Sequence, residues 1–300
     1  MVICKNIIAR IFLFYGVLIC FLLLSVKVQG QQILERSTPE YEGVSSHGII
    51  SFLEAAENSE IEFHSVMILR NGKVIAEGWW DPYKPDYKHT LYSVSKSFTS
   101  TAVGFAVQEG LLNIDDKVIS FFPDKLPSDI SENLKKLSVK DLLTMSVGHA
   151  KDLTFSLIKE EDWVKAFLAV PVVHDPGTEF LYNSMATYML SAIIQSLSGE
   201  SLIEYLTPRL FEPLGISSAD WEIDPLSKNT GGWGLRVTTE DMAKLGLFYL
   251  QKGRWNGEQL LFKAWIEDTT SPQIIQEPEL PEEERIYSDW HQGYGYNNPN

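Results

Sequence analysis

Strand signals stand at both ends of this chain and helical signals fill the space between, and that order does most to limit the fold. Near the start, "EFHSVMILRNGKVIAEGWW" reads as two strands joined at Asn71-Gly72, a pair that suits the two left-handed positions of a type I′ hairpin turn. Near the end, the Gly- and aromatic-rich "DWHQGYGYNN" is strand-like again. Between them the patterns are helical. "LSVKDLLTM" opens on Ser138 with Asp141 three residues on, and "VTTEDMAKLGLFYLQKG" repeats the arrangement with Thr238 and Asp241; both are capping-box variants. "EEDWVKAFLAV" is amphipathic, and "DPGTEFLYNSMATYMLSAIIQSLSG" turns at Pro176-Gly177 and then runs as an apolar helix to Gly199. A second Asn-Gly turn follows at Asn256-Gly257. A helical block between parts of a sheet predicts an α+β architecture: an antiparallel sheet with flanking helices and an inserted, mostly helical subdomain over 111–235.

The first thirty residues are a separate object. Lys5 and Arg10 precede an apolar run from Ile11 to Val26, and Val28 and Gly30 offer short side chains before Gln31. This is the pattern of a secretory signal peptide over 1–30, leaving one domain over 31–300; the competing reading is an uncleaved membrane anchor. A lipidated Cys20 fits poorly, because Ile19 is bulky where a small residue is wanted. Both cysteines, Cys4 and Cys20, fall in this segment, so the processed chain has no disulfide, thiol nucleophile or cysteine metal site. Three of the 25 basic residues are removed with it and no acidic ones, taking the formal charge from -15 to -18. Such a chain repels nucleic acid and anionic membrane surfaces. The expected partner is a small-molecule or peptide substrate, with membrane contact only through an uncleaved signal segment and a secreted or periplasmic location. Nothing in the letters specifies an oligomeric state.

The chemistry concentrates in "TLYSVSKSFTSTAVGF", Thr90 to Phe105. Val94, Phe98, Ala102 and Phe105 recur at helical spacing and predict one buried face. Ser93 and Lys96 are three apart and share a side of that helix. A neutral amine beside a serine hydroxyl can take its proton, and both burial and a helix N-terminus disfavour the charged amine. The same N-terminus offers backbone N–H groups to an oxyanion. The surrounding hydroxyls are expected to accept from Lys96 and line a polar cleft. The alternative is a helix start whose lysine snorkels to solvent. A second S-x-x-K, Ser156 to Lys159, precedes "EED" in a solvated segment and reads as coincidence. Tyr182, in "PGTEFLYNS", opens the next apolar helix and supplies a phenol that an ammonium neighbour can activate.

Together, "YSVSKSFTS", "LSVKDLLTMSVGH", "PGTEFLYNS" and "GGWGLRVTTEDMAKLG" resemble, in order, the penicillin-recognising serine hydrolases, and specifically their class C β-lactamase-related branch. The resemblance implies a β-lactamase/DD-peptidase-like fold, an acyl-enzyme on an ester, amide or β-lactam carbonyl, and no cofactor. It gives Ser93 as nucleophile, Lys96 as proton partner and Tyr182 as base, with Asn183 and Ser184 on the substrate. Two departures matter. The branch places asparagine third in Y-x-N, where this chain has Ser184, a shorter group with one donor instead of two. The third family element, K-T-G or H-x-G, has only "HQG" at His291 to Gly293 to match it, in a setting that looks like the strand before. That element and the final strands and helix are therefore expected beyond Asn300. A non-catalytic peptidoglycan- or peptide-binding homologue on the same scaffold is the alternative function.

Other groupings read as structural. His149 and Asp152 lie close in sequence without metal-ligand spacing, so an ordinary surface or loop histidine is expected. Glu160-Glu161-Asp162 reads as a solvated helix face. Trp79-Trp80 either flank the cleft or pack at the end of the hairpin.

Overall fold

The computed structural model describes residues 33–276 and Pro281, with the backbone of Ile286–Ser288 and Gly295–Asn297. The signal-like segment and the "HQG" stretch lie outside the described residues. Helix α1 (Ser46–Glu57) leads into a hairpin of β1 (Ser65–Arg70) and β2 (Lys73–Trp79). Arg70 faces Lys73 across the turn, and Asn71 and Gly72 hold φ of 53° and 82°, the left-handed pair that the Asn-Gly letters require. The short β3 (His89–Thr90) then delivers the chain to a 3₁₀ turn, Tyr92–Val94, and to α2 (Ser95–Gln108).

The helical block follows, with α3 (Val139–Leu143), α4 (Trp163–Leu168) and α5 (Ser184–Ser198) joined by shorter helical turns. Strands β4 (Asp220–Trp221) and β5 (Leu235–Val237) return to β3, giving an antiparallel sheet in the order β3-β5-β4. Helix α6 (Thr239–Leu250), a small hairpin of β6 (Arg254–Trp255) and β7 (Glu258–Gln259), and α7 (Lys263–Thr269) come next. Strands β8 (Ile274–Ile275), β9 (Ile286–Ser288) and β10 (Gly295–Asn297) form a further antiparallel sheet. The architecture is α+β as expected, with the strands shared among several small antiparallel sheets.

The core is built on two helices. Phe98, Ala102, Val103 and Ala106 of α2 and Met185, Ala186, Tyr188, Met189, Ala192 and Ile193 of α5 are fully shielded from solvent, and the two helices pack together, with α3 also packed on α5. Burying each of the larger side chains contributes about 1.5–3 kcal/mol. Gly104 lets α7 approach: a Cβ there would lie 2.5 Å from the indole nitrogen of Trp265. Val94, expected on the buried face, is 43% exposed. It belongs to the 3₁₀ turn, whose three-residue pitch points it off the stripe that α2 then follows. Both capping boxes form, Ser138 with Asp141 on α3 and Thr238 with Asp241 on α6. Gly199 closes α5 at φ 74°.

Candidate active site

Tyr92 holds φ of 45°, a left-handed conformation that costs a residue with a Cβ about 1–2 kcal/mol. This twist leads from β3 into the 3₁₀ turn and sets Ser93 at a half-buried position facing the start of α5. One turn on, Lys96 is wholly buried. Its Nζ donates to Gly232 O at 2.6 Å, Ser93 Oγ at 3.1 Å and Ser184 Oγ at 3.1 Å. The Tyr182 hydroxyl donates to Ser93 Oγ at 2.7 Å, and the ammonium position lies 5.1 Å from the centre of the Tyr182 ring. Ser93, Lys96, Tyr182 and Ser184 thus converge, although Ser93 and Tyr182 are 89 residues apart. A snorkelling lysine is excluded by its burial.

Burial pushes the Lys96 amine down to about 8, against the charge of Asp152, which favours the ammonium. An amine at that value is neutral in roughly one molecule in ten at pH 7. Gly232 O can only accept, so one N–H is committed there. A neutral amine that gives its second N–H to Ser184 turns its lone pair to Ser93. The arrangement can therefore accept the Ser93 proton without rearranging.

Most of the hydroxyl-rich helix start does something else. Ser95 Oγ accepts from Leu235 N at 3.2 Å, and Thr99 donates to Gly231 O at 2.9 Å. Ser100 meets Thr269 at 3.1 Å, and Thr101 meets Tyr249 at 2.7 Å. These four hydroxyls are buried and tie α2 to its neighbours instead of lining a cleft. They satisfy polar groups that a packed helix could not otherwise hide.

Asn183 also departs from expectation. It is 2% exposed, and its Oδ1 caps α5 by accepting from Met185 N at 3.0 Å and Ala186 N at 3.3 Å. Its amide is turned inward to His149, not toward a substrate. His149 itself, expected as an ordinary surface or loop histidine, does lie in a loop segment but is 4% exposed, with Nδ1 3.3 Å from Asn183 Nδ2 and its ring 5.0 Å from that of Phe167. Gly232 gives no sign of its role in the letters: the lysine's partner there is a backbone oxygen, and a Cβ at Gly232 would lie 2.6 Å from Ser184 O. The glycines of "GGWG" are the one sequence signal of a backbone that comes this close to a neighbour. Among the other groupings, Ser156 and Lys159 are both exposed, and Asp162 caps α4 while pairing with Lys125. Trp80 packs against Phe63, ring centres 5.5 Å apart, at the end of the hairpin. Among the described residues no cluster of His, Cys, Asp and Glu is arranged to hold a metal ion, and no helix is long and apolar enough to cross a membrane.

Comparison with known proteins returns the family model described as Beta-lactamase, matching residues 56–297. An uncharacterized protein of Alkalihalophilus pseudofirmus is 24% identical over 261 residues, covering 76% of this chain and 71% of the relative. Protein flp of Staphylococcus aureus is 30% identical over 164 residues, covering 50% of this chain but only 33% of its own length. Among solved structures, the octameric penicillin-binding protein homologue from Pyrococcus abyssi superposes with a TM-score of 0.66 at 21% identity, covering 83% of this chain and 64% of that one; at that identity the likeness speaks for the fold.

Proposed function

This chain belongs to the beta-lactamase family, and on that premise we propose that it is a serine hydrolase working through an acyl-enzyme on Ser93. The observation that carries the reading is the 2.7 Å contact of Tyr182 Oη with Ser93 Oγ, with Lys96 Nζ 3.1 Å from the same oxygen. Ser93 Oγ attacks the substrate carbonyl carbon as its proton passes to the Lys96–Tyr182 pair. Backbone N–H groups at the start of the Ser93 turn are the donors this reading assigns to the oxyanion that forms. The pair then returns the proton to the leaving group as its bond to the carbonyl breaks. Water, deprotonated by the same pair, attacks the ester and frees Ser93.

Ser184 bears on the substrate. Its hydroxyl is engaged with Lys96, and it has no carboxamide to give to a substrate amide. The reading therefore favours esters and small peptides over penicillins. Fluorophosphonate labelling of the full-length protein tests the nucleophile: Ser93→Ala is expected to abolish it, and labelling that persists removes Ser93 from its role. A panel of nitrocefin, short-chain aryl esters and D-alanyl-D-alanine peptides tests the preference, with the esters expected to turn over fastest.

A further inference from the structure

Asn183 commits its side-chain oxygen to the helix it begins. With Oδ1 accepting from Met185 N and Ala186 N, the amide cannot turn over without setting its NH₂ group against two backbone N–H groups. Nδ2 is thereby fixed on His149 Nδ1, 3.3 Å away. An amide nitrogen donates and does not accept. The ring nitrogen opposite it must be the acceptor, so the imidazole is neutral and carries its proton on Nε2. That Nε2 is buried and has no hydrogen-bond partner. A second proton on the ring would set N–H against NH₂ and place a charge out of reach of solvent.

We propose that His149, kept neutral, is a positioning residue for the reaction at Ser93: it fixes the Asn183 amide, and through that cap the entrance to α5, where Tyr182 and Ser184 stand on either side of Asn183. The proposal rests on the serine-hydrolase reading above. Both flanking residues contact the reacting groups, Tyr182 on Ser93 and Ser184 on Lys96. A cap that slips therefore displaces the phenol and one lysine acceptor together. The surroundings of the ring suit a neutral group. Phe167 from α4 and Val172, bridged to His149 through the backbone, bring no charge. Asp152, three residues on, is the charge that acts on the ring and favours its protonation. Burial outweighs it and holds the imidazole down to about 4.

Nitrogen-15 spectra of ring-labelled histidine in the full-length protein read the tautomer directly and need no substrate. The His149 signals are assigned by their loss in His149→Phe. The expected result is an unprotonated Nδ1 and a protonated Nε2, unchanged from pH 8 down to about pH 5. A proton on Nδ1 in that range overturns the proposal. His149→Phe keeps a ring against Phe167 but offers Asn183 no acceptor. Its kcat and its fluorophosphonate labelling rate are expected to fall about tenfold or more while KM moves less than about twofold; a folded variant labelled at the wild-type rate overturns the proposal. If that variant does not fold, Asn183→Asp decides. It keeps the cap and presents a carboxylate to the ring, so the His149 titration is expected to move up by about one pH unit or more, and an unmoved titration overturns the pairing. Wild-type protein that is never labelled overturns the hydrolase reading and the positioning role that depends on it, while the tautomer still decides the His149–Asn183 pairing by itself.

Discussion

The Tyr182 hydroxyl sits 2.7 Å from Ser93 Oγ, closer than Lys96 comes to the same oxygen. Ser93 thus has two proton partners from two different helix starts. The contact orients the nucleophile within reach of both.

Tyr182→Phe keeps the ring over Lys96 and removes only the hydroxyl. On the proposed mechanism kcat falls by about 10²–10⁴, the usual range for loss of an acid–base group, with KM nearly unchanged. Steady-state kinetics on an aryl ester check this, and a Tyr182→Phe protein as active as wild type leaves Lys96 as the working base.

The pH dependence follows from Lys96. Its amine is pushed down to about 8 by burial, and only the neutral form accepts a proton. Activity is expected to rise with pH through about 8, falling about tenfold for each unit below it. Stability responds in the same direction. The folded protein releases this proton at a lower pH than the unfolded chain, so between about 8 and the ordinary lysine value near 10.4 the term favours folding increasingly as pH rises. Lys96→Arg remains charged throughout and is expected to be inactive at every pH. A profile flat between pH 6 and 9 sinks the assignment.

Gly232→Ala tests the loop. The added methyl would lie 2.6 Å from Ser184 O, so the loop has to retreat and take the Gly232 carbonyl away from Lys96. The expected stability loss is about 1–3 kcal/mol, with a loss of kcat beyond what reduced folding explains. Thermal melts and kinetics on the same preparation separate the two effects.

Lys244 probes a part of the core with no role in catalysis. It is fully buried, bonded to Gly215 O at 3.0 Å and paired with Asp241 at 3.4 Å. Asp241 in turn receives Thr238 and Ser218. Lys244→Met removes the cation and strands the carboxylate, which costs about 3–5 kcal/mol. Urea unfolding measures it. The kinetic constants of the folded fraction are expected to stay as in the wild type.

What could be read from the letters follows from what letters encode. The hairpin at Asn71-Gly72 and the two capping boxes were legible because each is a local rule satisfied within four residues. Ser93 and Lys96 were legible because helical spacing alone puts them on one side. Tyr182 required the resemblance: no periodicity links positions 89 apart. Gly232 was invisible as a lysine partner because the atom involved belongs to the backbone and is carried by every residue. The surroundings of His149 and Asn183 are hidden from the letters for a common reason. Their burial is a property of the packed chain, and two polar side chains that satisfy each other in the core look in sequence like two surface residues. The hydroxyls of α2 misled in the same way, since a serine that ties helix to strand and one that faces a cleft are written identically.

Lys96 draws its three acceptors from three stretches of chain: its own helix start, the entrance to α5 and the loop before β5. The amine is in effect located by triangulation. A half-assembled molecule missing any one of those stretches would strand it among oily side chains, so activity should switch on only when the last of them docks, and a chain that has collapsed but not finished folding should be silent.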